Sequence, residues 1–447
     1  MSINGSFYTG LSGLSTHGTA IGVVGDNVAN VNTTGFKNSS TEFSDILGMS
    51  LSGVSGANQM GAGANIESMD TNFVQGTFIT TDVPTDIAVN GKGFYILKDA
   101  SNQDKFYSRA GHFHFDNQGY FVNTTDKRVQ GYLYDSTGTT LIEALADVQI
   151  DQNSMIAPKP TSAAELVLNL DSSSTAMSAW GAVGSVDFNA ALADPTGHSN
   201  YSTPVTIYDT LGQSHTVQVY FTKTAASTWE WHAAIAESDA SAYTATYQSG
   251  NYVLYGQGIT ADTTRLQFDA NGVLTSPPAA AADVNLFDAG SAIVFENGVT
   301  ATAATINYTG TTQYGSSSAI QSIIQDGYAA GTTSSVGIDD TGDIVANYTN
   351  GQVKKIARLA LGSFLNINGL FRRGATMYQE SVASGQPIFN KPGEGGMGTI
   401  SSSMLEESNV DLAAEIIKMI VLQRGYQANS KVISTTDEML NTLLQLR

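Results

Sequence analysis

The chain has no cysteine in 447 residues. That absence excludes disulfides, thiolate nucleophiles and cysteine-based metal sites, and it suits a chain that must stay uncrosslinked in transit. Positive charge is also scarce: 20 Lys and Arg stand against 40 Asp and Glu, a formal net charge of -20, with no basic run. Nucleic acid and anionic membrane both require clustered positive charge, so neither is an expected partner. No apolar run reaches the length of a membrane span, and no membrane insertion is expected. The N-terminus lacks the basic region, continuous apolar stretch and cleavage site of a secretory signal peptide, so the chain either stays in the cytoplasm or leaves by another export route. Proline is confined to the interior, where all nine lie between Pro84 and Pro392. Both ends are therefore free of the residue that breaks helices.

What is present at those ends is helical spacing. Leu412, Ile416, Met419, Gln423, Tyr426, Ser430, Ile433, Asp437, Leu440 and Leu444 follow alternating steps of four and three, with Ile420 beside them. This predicts a long helix with a coiled-coil-like seam. Ser408 with Asp411 three positions on resembles a capping box, which places the helix over 409–445. Phe7, Leu11, Leu14, Gly18, Ile21, Gly25 and Val28 repeat the spacing at the N-terminus, with Val24 and Val31 alongside. Glycines 5, 10, 13, 18, 22 and 25 fall inside this second helix. Each costs about 1 kcal/mol relative to alanine, so the arm needs packing to stay helical. Two arrangements satisfy that need: the arms pair with each other within one chain, or they become helical only when many copies pack together.

Between the arms the period changes. Residues 36–70, rich in Ser, Gly and Asn, read as an extended connector. From Thr71 the apolar residues alternate as in strands, with Phe78, Ile87, Val89, Phe94, Ile96 and Phe113 among the inward candidates. Asp116, Asp135, Asp209, Asp269 and Asp339 are each followed three positions later by Gly, the signature of a type I turn in a hairpin. Asn350-Gly351 adds a dipeptide favoured in two-residue hairpins. Pro158 and Pro160 mark a junction. The predicted fold is α+β and multidomain: terminal helices of 1–35 and 405–447 forming a coiled-coil-like inner domain, a first antiparallel β domain of 71–147 and 326–404, and an inserted outer β domain of 148–325.

No catalytic constellation emerges, and no cofactor or metal is expected. His112 and His114 share a strand face but lack further ligands. Trp229-Glu230-Trp231 places a carboxylate between aromatics, yet alternation sends both tryptophans to the face opposite Glu230, which reads as core packing. No phosphate-binding loop or nucleophile elbow occurs.

Several stretches resemble one family. Asn30-Val31-Asn32-Thr33-Thr34-Gly35-Phe36 is similar to the N-terminal signature of the bacterial flagellar rod and hook axial proteins. Leu405 to Leu412, with Ser408, Asn409 and Asp411, and then Gln423-Arg424-Gly425-Tyr426, resemble the C-terminal signature. Tyr208 to Val217, Asn366-Ile367-Asn368-Gly369-Leu370 and Ser384-Gly385 look most like the hook members. The resemblance implies a structural, non-enzymatic subunit that polymerises into a curved tube carrying torque from rod to filament, with the distal rod protein as the alternative. It also implies export through the flagellum-specific type III apparatus with its chaperones, an extracellular location, and contacts with the hook cap, distal rod and hook-filament junction proteins. The expected polymerisation surface is Phe7, Leu11, Leu14, Ile21, Val24, Val28 and Val31 together with Leu412, Ile416, Met419, Ile420, Tyr426, Ile433, Leu440 and Leu444.

Overall fold

The computed structural model describes residues 3–50, 59–151, 155–180, 190–191, 193–243, 248–249, 252–257, 265–277, 283–287, 293–300, 302 and 304–445. The chain divides into two units, one of 1–154, 333–347 and 353–447, the other of 155–332 and 348–352. Among the described residues there are two α-helices, α1 (Ile3–Ala29) and α2 (Leu412–Gln445), and the regular structure between them is overwhelmingly strand. The expected α+β fold with a coiled-coil-like inner domain is thereby corrected: the protein is mostly β with one helix at each end.

The helices do lie against each other, with the contact on α1 centred on small residues beside the predicted seam, while Tyr426 and Ile433 of the predicted α2 seam face Gly18 and Gly10. The buried stripe of α1 is Gly10, Gly13, Thr16, Ala20, Val24 and Asn27, nearly all small. A Cβ on Gly13 would fall 2.7 Å from Asn429 Oδ1, one on Gly10 would fall 3.2 Å from Ile433, and one on Gly425 would fall 2.7 Å from His17. Glycine at these positions lets two backbones approach where larger seam residues would hold them apart. The same close approach supplies the packing that offsets the glycines' poor helix propensity. The start of α2 also differs from expectation. Asp411 is its N-cap, accepting hydrogen bonds from the Ala413 and Ala414 amides at 2.9 and 3.2 Å, so the helix begins three residues later than a cap at Ser408 would place it.

The expected connector is extended but paired. Strands β1 (Ser39–Ser50) and β2 (Gln59–Thr71) form an antiparallel hairpin, with Phe43 opposite Ile66 and Asp45 opposite Ala64. The hairpin rests on α1 where the Ala64 amide donates to Ser12 Oγ at 3.3 Å.

The rest of the first unit is an antiparallel β domain built from both halves of the chain. The strand Phe94–Lys98 pairs with Lys105–Ser108 and with Arg128–Tyr134, and the returning strand Val353–Leu359 pairs with Arg128–Tyr134, setting Ala357 opposite Leu133. Ile87, Val89, Tyr95, Leu97, Phe113, Val129, Ile344 and Leu359 meet in its core. Phe78, expected inside, is exposed. All five Asp-x-x-Gly segments turn as read: each Gly amide donates to its Asp carbonyl, and each Gly has a φ of 75 to 84°. Asn350-Gly351 instead closes a longer turn, in which the Gly351 amide donates to Tyr348 O at 3.0 Å.

The second unit has its own core. Trp229 and Trp231 are fully buried among Val217, Val219, Leu166 and Ile306. Glu230 occupies the other face, as alternation requires, where it is also buried and lies 2.7 Å from Arg265 Nη2. Next to it His232 stacks on Trp180 at 4.0 Å, and burial pushes the imidazole pKa down to about 3.

A buried ionic cluster ties the two ends of the chain to the first β domain. Glu406, fully buried, accepts from Lys37 Nζ at 2.5 Å and from the Gly76 amide at 2.9 Å, and Arg109 Nη1 lies 3.5 Å away. Arg109 also donates to Val89 O at 3.2 Å and Gly91 O at 2.6 Å. Lys37 donates its remaining capacity to Val74 O at 2.9 Å. Burial lowers the Lys37 pKa, and the bond to Glu406 opposes that shift. A second cluster holds the returning strand. Asp343, with no side-chain exposure, accepts from Arg358 Nε and Nη2 at 2.5 and 2.8 Å, from Lys355 at 2.7 Å and from Tyr134 at 2.9 Å. Burial alone would raise its pKa, but these bonds outweigh it and hold the carboxyl at about 2, below the usual 3.8.

Glu406→Gln leaves Lys37 and Arg109 without their counter-charge and is expected to cost about 3–5 kcal/mol in urea unfolding, while Lys37→Met with Glu406→Met recovers part of the loss. An unchanged midpoint in the single variant would show the cluster to be unimportant. Because the Asp343 pKa is depressed, its stabilisation is present above pH 3.8 and disappears as pH falls through about 2. Asp343→Asn should therefore lower the melting temperature at pH 7 and converge with the parent in acid, as calorimetry over that pH range will test.

Candidate assembly surface

The signature residues sit where the two ends cross. After α1 ends at Ala29, Asn30 stabilises the exit turn: its side-chain amide donates to Asp26 O at 2.9 Å, and its oxygen accepts from Thr33 Oγ1 at 3.1 Å. Gly35 is left-handed, with a φ of 68°, and a Cβ there would meet the Ala110 amide at 2.5 Å. Its own amide donates to Glu406 O at 2.8 Å, so the turn is fastened to the C-terminal leg. Phe36 is buried under the Arg372 guanidinium, 5.4 Å from the ring centroid. Asn409 ties three segments together: its oxygen accepts from the Asn38 amide at 2.8 Å, and its nitrogen donates to Asn72 O and Val74 O at 2.8 and 3.0 Å. These are the two ends of the hairpin, closed by one side chain. Ser408 accepts from the Val410 amide at 3.3 Å. Asn32, Gln423 and Arg424 point to solvent.

Asn27 escaped the sequence reading. It is buried, donates to Ser39 O at 2.8 Å and Glu415 Oε2 at 3.1 Å, and accepts from the Ser39 amide at 2.9 Å. Glu415 in turn accepts from Lys418 at 2.6 Å. Lys37, Arg109 and Glu406 were missed as a group. Lys37 and Glu406 lie 369 residues apart, and the only local hint is a cation placed directly after Phe36 in an almost uncharged segment.

The expected polymerisation residues divide by exposure. Val24 is buried against the chain itself; Leu14, Ile21, Val28, Val31, Met419, Ile433 and Leu440 are half-buried. Phe7, Leu11, Leu412, Ile416, Ile420 and Tyr426 are exposed, and the side chain of Leu444 lies outside the described residues. The exposed set is joined by Tyr8, Ile417, Val421, Val432 and Met439. Together they cover the outward faces of both helices. Between α1, the hairpin base and α2 lies a cavity of about 330 Å³ lined by Val23, Phe43, Ile417, Val421 and Leu422. Among the described residues no group of three His, Asp or Glu is placed to hold a metal ion, and His112 pairs with Asp86 at 2.8 Å instead. No described helix is long and apolar enough to cross a membrane.

Four family models match the chain in order: Flagella basal body rod protein over 7–37, Flagellar hook protein FlgE/F/G D1 domain over 88–162, Flagellar basal body protein FlaE D2 domain over 186–328, and Flagellar basal body rod FlgEFG protein C-terminal over 401–446. The flagellar hook protein FlgE of Treponema pallidum is 35% identical over 474 residues, covering 99% of this chain and 99% of that protein. The flagellar hook protein FlgE of Escherichia coli is 31% identical, covering 99% of this chain and 100% of its own. The solved Helicobacter pylori flagellar hook protein FlgE2 overlays with a TM-score of 0.49 at 17% identity, over 73% of this chain and 100% of that one. Because the identity runs from end to end and takes in the inserted unit as well as both helices, the chain belongs to the flagellar hook protein family, the structural subunits of the bacterial flagellar hook.

Proposed function

We propose that this subunit polymerises with copies of itself by burying the outward faces of α1 and α2, and that the product is the curved, flexible tube that transmits torque from rod to filament. The observation that carries the reading is the eleven large apolar side chains exposed on these two helices among the described residues. Full burial of such a side chain is worth about 1.5–3 kcal/mol, and each is only partly exposed, so about 1 kcal/mol apiece is available on association. A monomer gains nothing from presenting such a face to water. Contacts between different faces of identical subunits give a helical polymer whenever the rotation between copies does not close a ring.

The finer features of the reading rest on family membership. The subunit leaves the cell through the type III apparatus without a cleaved signal, uses export chaperones, and assembles outside the cell beneath a cap. It meets the distal rod at one end of the tube and the junction proteins at the other. In this reading the inserted β unit forms the outer surface, and bending is taken up where the chain passes between units.

Ile416→Asp combined with Ile420→Asp is expected to abolish tubes in negative-stain micrographs and to leave the melting of the β domains unchanged, because both side chains are already exposed in the single chain. Tubes of normal length from that variant would refute the assignment of the helix faces.

A further inference from the structure

The stretch Asn366-Ile367-Asn368-Gly369-Leu370 and the pair Ser384-Gly385, distinct in sequence, are stitched into one rigid double loop far in sequence from the helices. The Asn366 amide donates to Ser384 O at 3.4 Å, and its side chain donates to Ala383 O at 3.1 Å. Ser381 Oγ donates to Gly369 O at 2.5 Å, while the Ser381 amide donates to Ser384 Oγ at 2.9 Å. Gly369 fits so closely that a Cβ would lie 2.5 Å from Ser384 N. So well ordered a loop presents its largest side chains to water: Leu365 is 94% and Val382 103% exposed, and Phe371 and Ile388 are each 58% exposed. Rigidity with the apolar side outward is a poor arrangement for a free surface and a good one for a contact, because little ordering entropy remains to be lost on binding.

A complementary surface exists on the same chain. The β1–β2 hairpin exposes Ile46 and Met69, while Phe43, partly exposed, faces His17 of α1. Residues 39–71 carry Glu42, Asp45, Glu67 and Asp70 and no basic residue, whereas residues 364–391 carry Arg372, Arg373 and Lys391 against Glu380 alone. Arg372 is engaged within the chain by Ser39 and Asp26 and Lys391 by Glu143, whereas Arg373 donates to the neutral Gln379 Oε1 at 2.7 Å and so keeps a positive charge to offer outward. Leu365 and Val382 remain exposed with the chain's own hairpin in place, so that hairpin does not cover them.

We propose that the 365–388 double loop is a second assembly contact, separate from the helix faces, and that it docks on the acidic, apolar β1–β2 hairpin of a neighbouring copy of this chain. Two different patches meet, so the contact is head-to-tail, and with a rotation between copies that does not close a ring it propagates. Its salt-sensitive rim, Arg373 against Glu67 and Asp45, sets register, and the aliphatic knobs supply the area. The proposal rests on the polymer reading above, and wild-type protein tests that reading first: if it forms no tubes at any concentration, the polymer reading fails before any variant is made.

The lack of native cysteine gives a clean background for the test. Val382→Cys is combined with Ile46→Cys or with Met69→Cys, tubes are assembled and then oxidised. At least one pair is expected to give a ladder of covalent multimers on non-reducing gels, and no single variant should do so. Tubes that yield only monomer from both pairs, or dimers from Val382→Cys alone, overturn the proposal. Independently, Arg373→Glu should raise the monomer concentration needed for assembly roughly ten-fold, and adding Glu67→Arg should restore it. Failure of that rescue, with melting unchanged, also overturns it.

Discussion

The fold depends on a carboxylate with no access to water. Glu406 lies at the point where the chain has left the β domain and is about to enter α2, and it holds the lysine that follows α1 and an arginine from the β domain. Removing three charges from solvent is unfavourable unless each finds its partners. Here further donors and acceptors are taken by the Gly76 amide and by the carbonyls of Val74, Val89 and Gly91, and among the described residues Arg109 Nε is the one buried donor of the cluster left without a partner. Such a cluster forms only when segments near 37, 75, 90, 109 and 406 arrive together, so it selects one way of crossing the two ends and penalises the rest. Asn409 and Gly35 then extend the same junction with neutral hydrogen bonds.

That junction explains how the helices divide their faces. With both ends anchored at one place, α1 and α2 are held close, and the residues between them must be small. Gly10, Gly13 and Gly425 meet that demand, and their neighbours across the contact are Ile433, Asn429 and His17. Bulk that does not fit inside is turned outward: Phe7, Leu11, Ile416 and Ile420 are exposed for this reason. The intrachain pairing and the exposed apolar face are therefore two consequences of one sequence pattern, with the glycines deciding which side is which.

Much of this was legible in the sequence, and the failures have physical causes. The helices, the strands and the Asp-x-x-Gly turns follow from local periodicity and backbone preference, which act within a few residues. The centre of the helix contact on α1 did not follow, because a four-three count weighs apolar size and ignores that close approach favours glycine and threonine. The hairpin of 39–71 was hidden by its Ser and Gly content, which reads as a connector unless the cross-strand partners are known. The Glu406 cluster was out of reach, since nothing local links Lys37 to a residue 369 positions away. Asn27 looked like one polar residue among several, and only its bond to Glu415 on the other helix distinguishes it.

The inserted unit shows how a chain tolerates an interruption of 178 residues, from Met155 to Thr332, in the middle of a β domain. Its entry and exit strands are neighbours: Met155 pairs with Thr332 and Ile156 with Gly331, and Lys159 and Tyr328 exchange backbone bonds at 3.0 and 2.9 Å. An insertion whose two ends meet adds almost no loop-closure cost to its host, because the host sees only a short connection. The Tyr348–Gln352 turn belongs to the same unit, where the Thr349 amide donates to Thr332 O at 2.9 Å. Each unit thus keeps a complete core of its own, one around Tyr95 and Leu359, the other around Trp229 and Trp231.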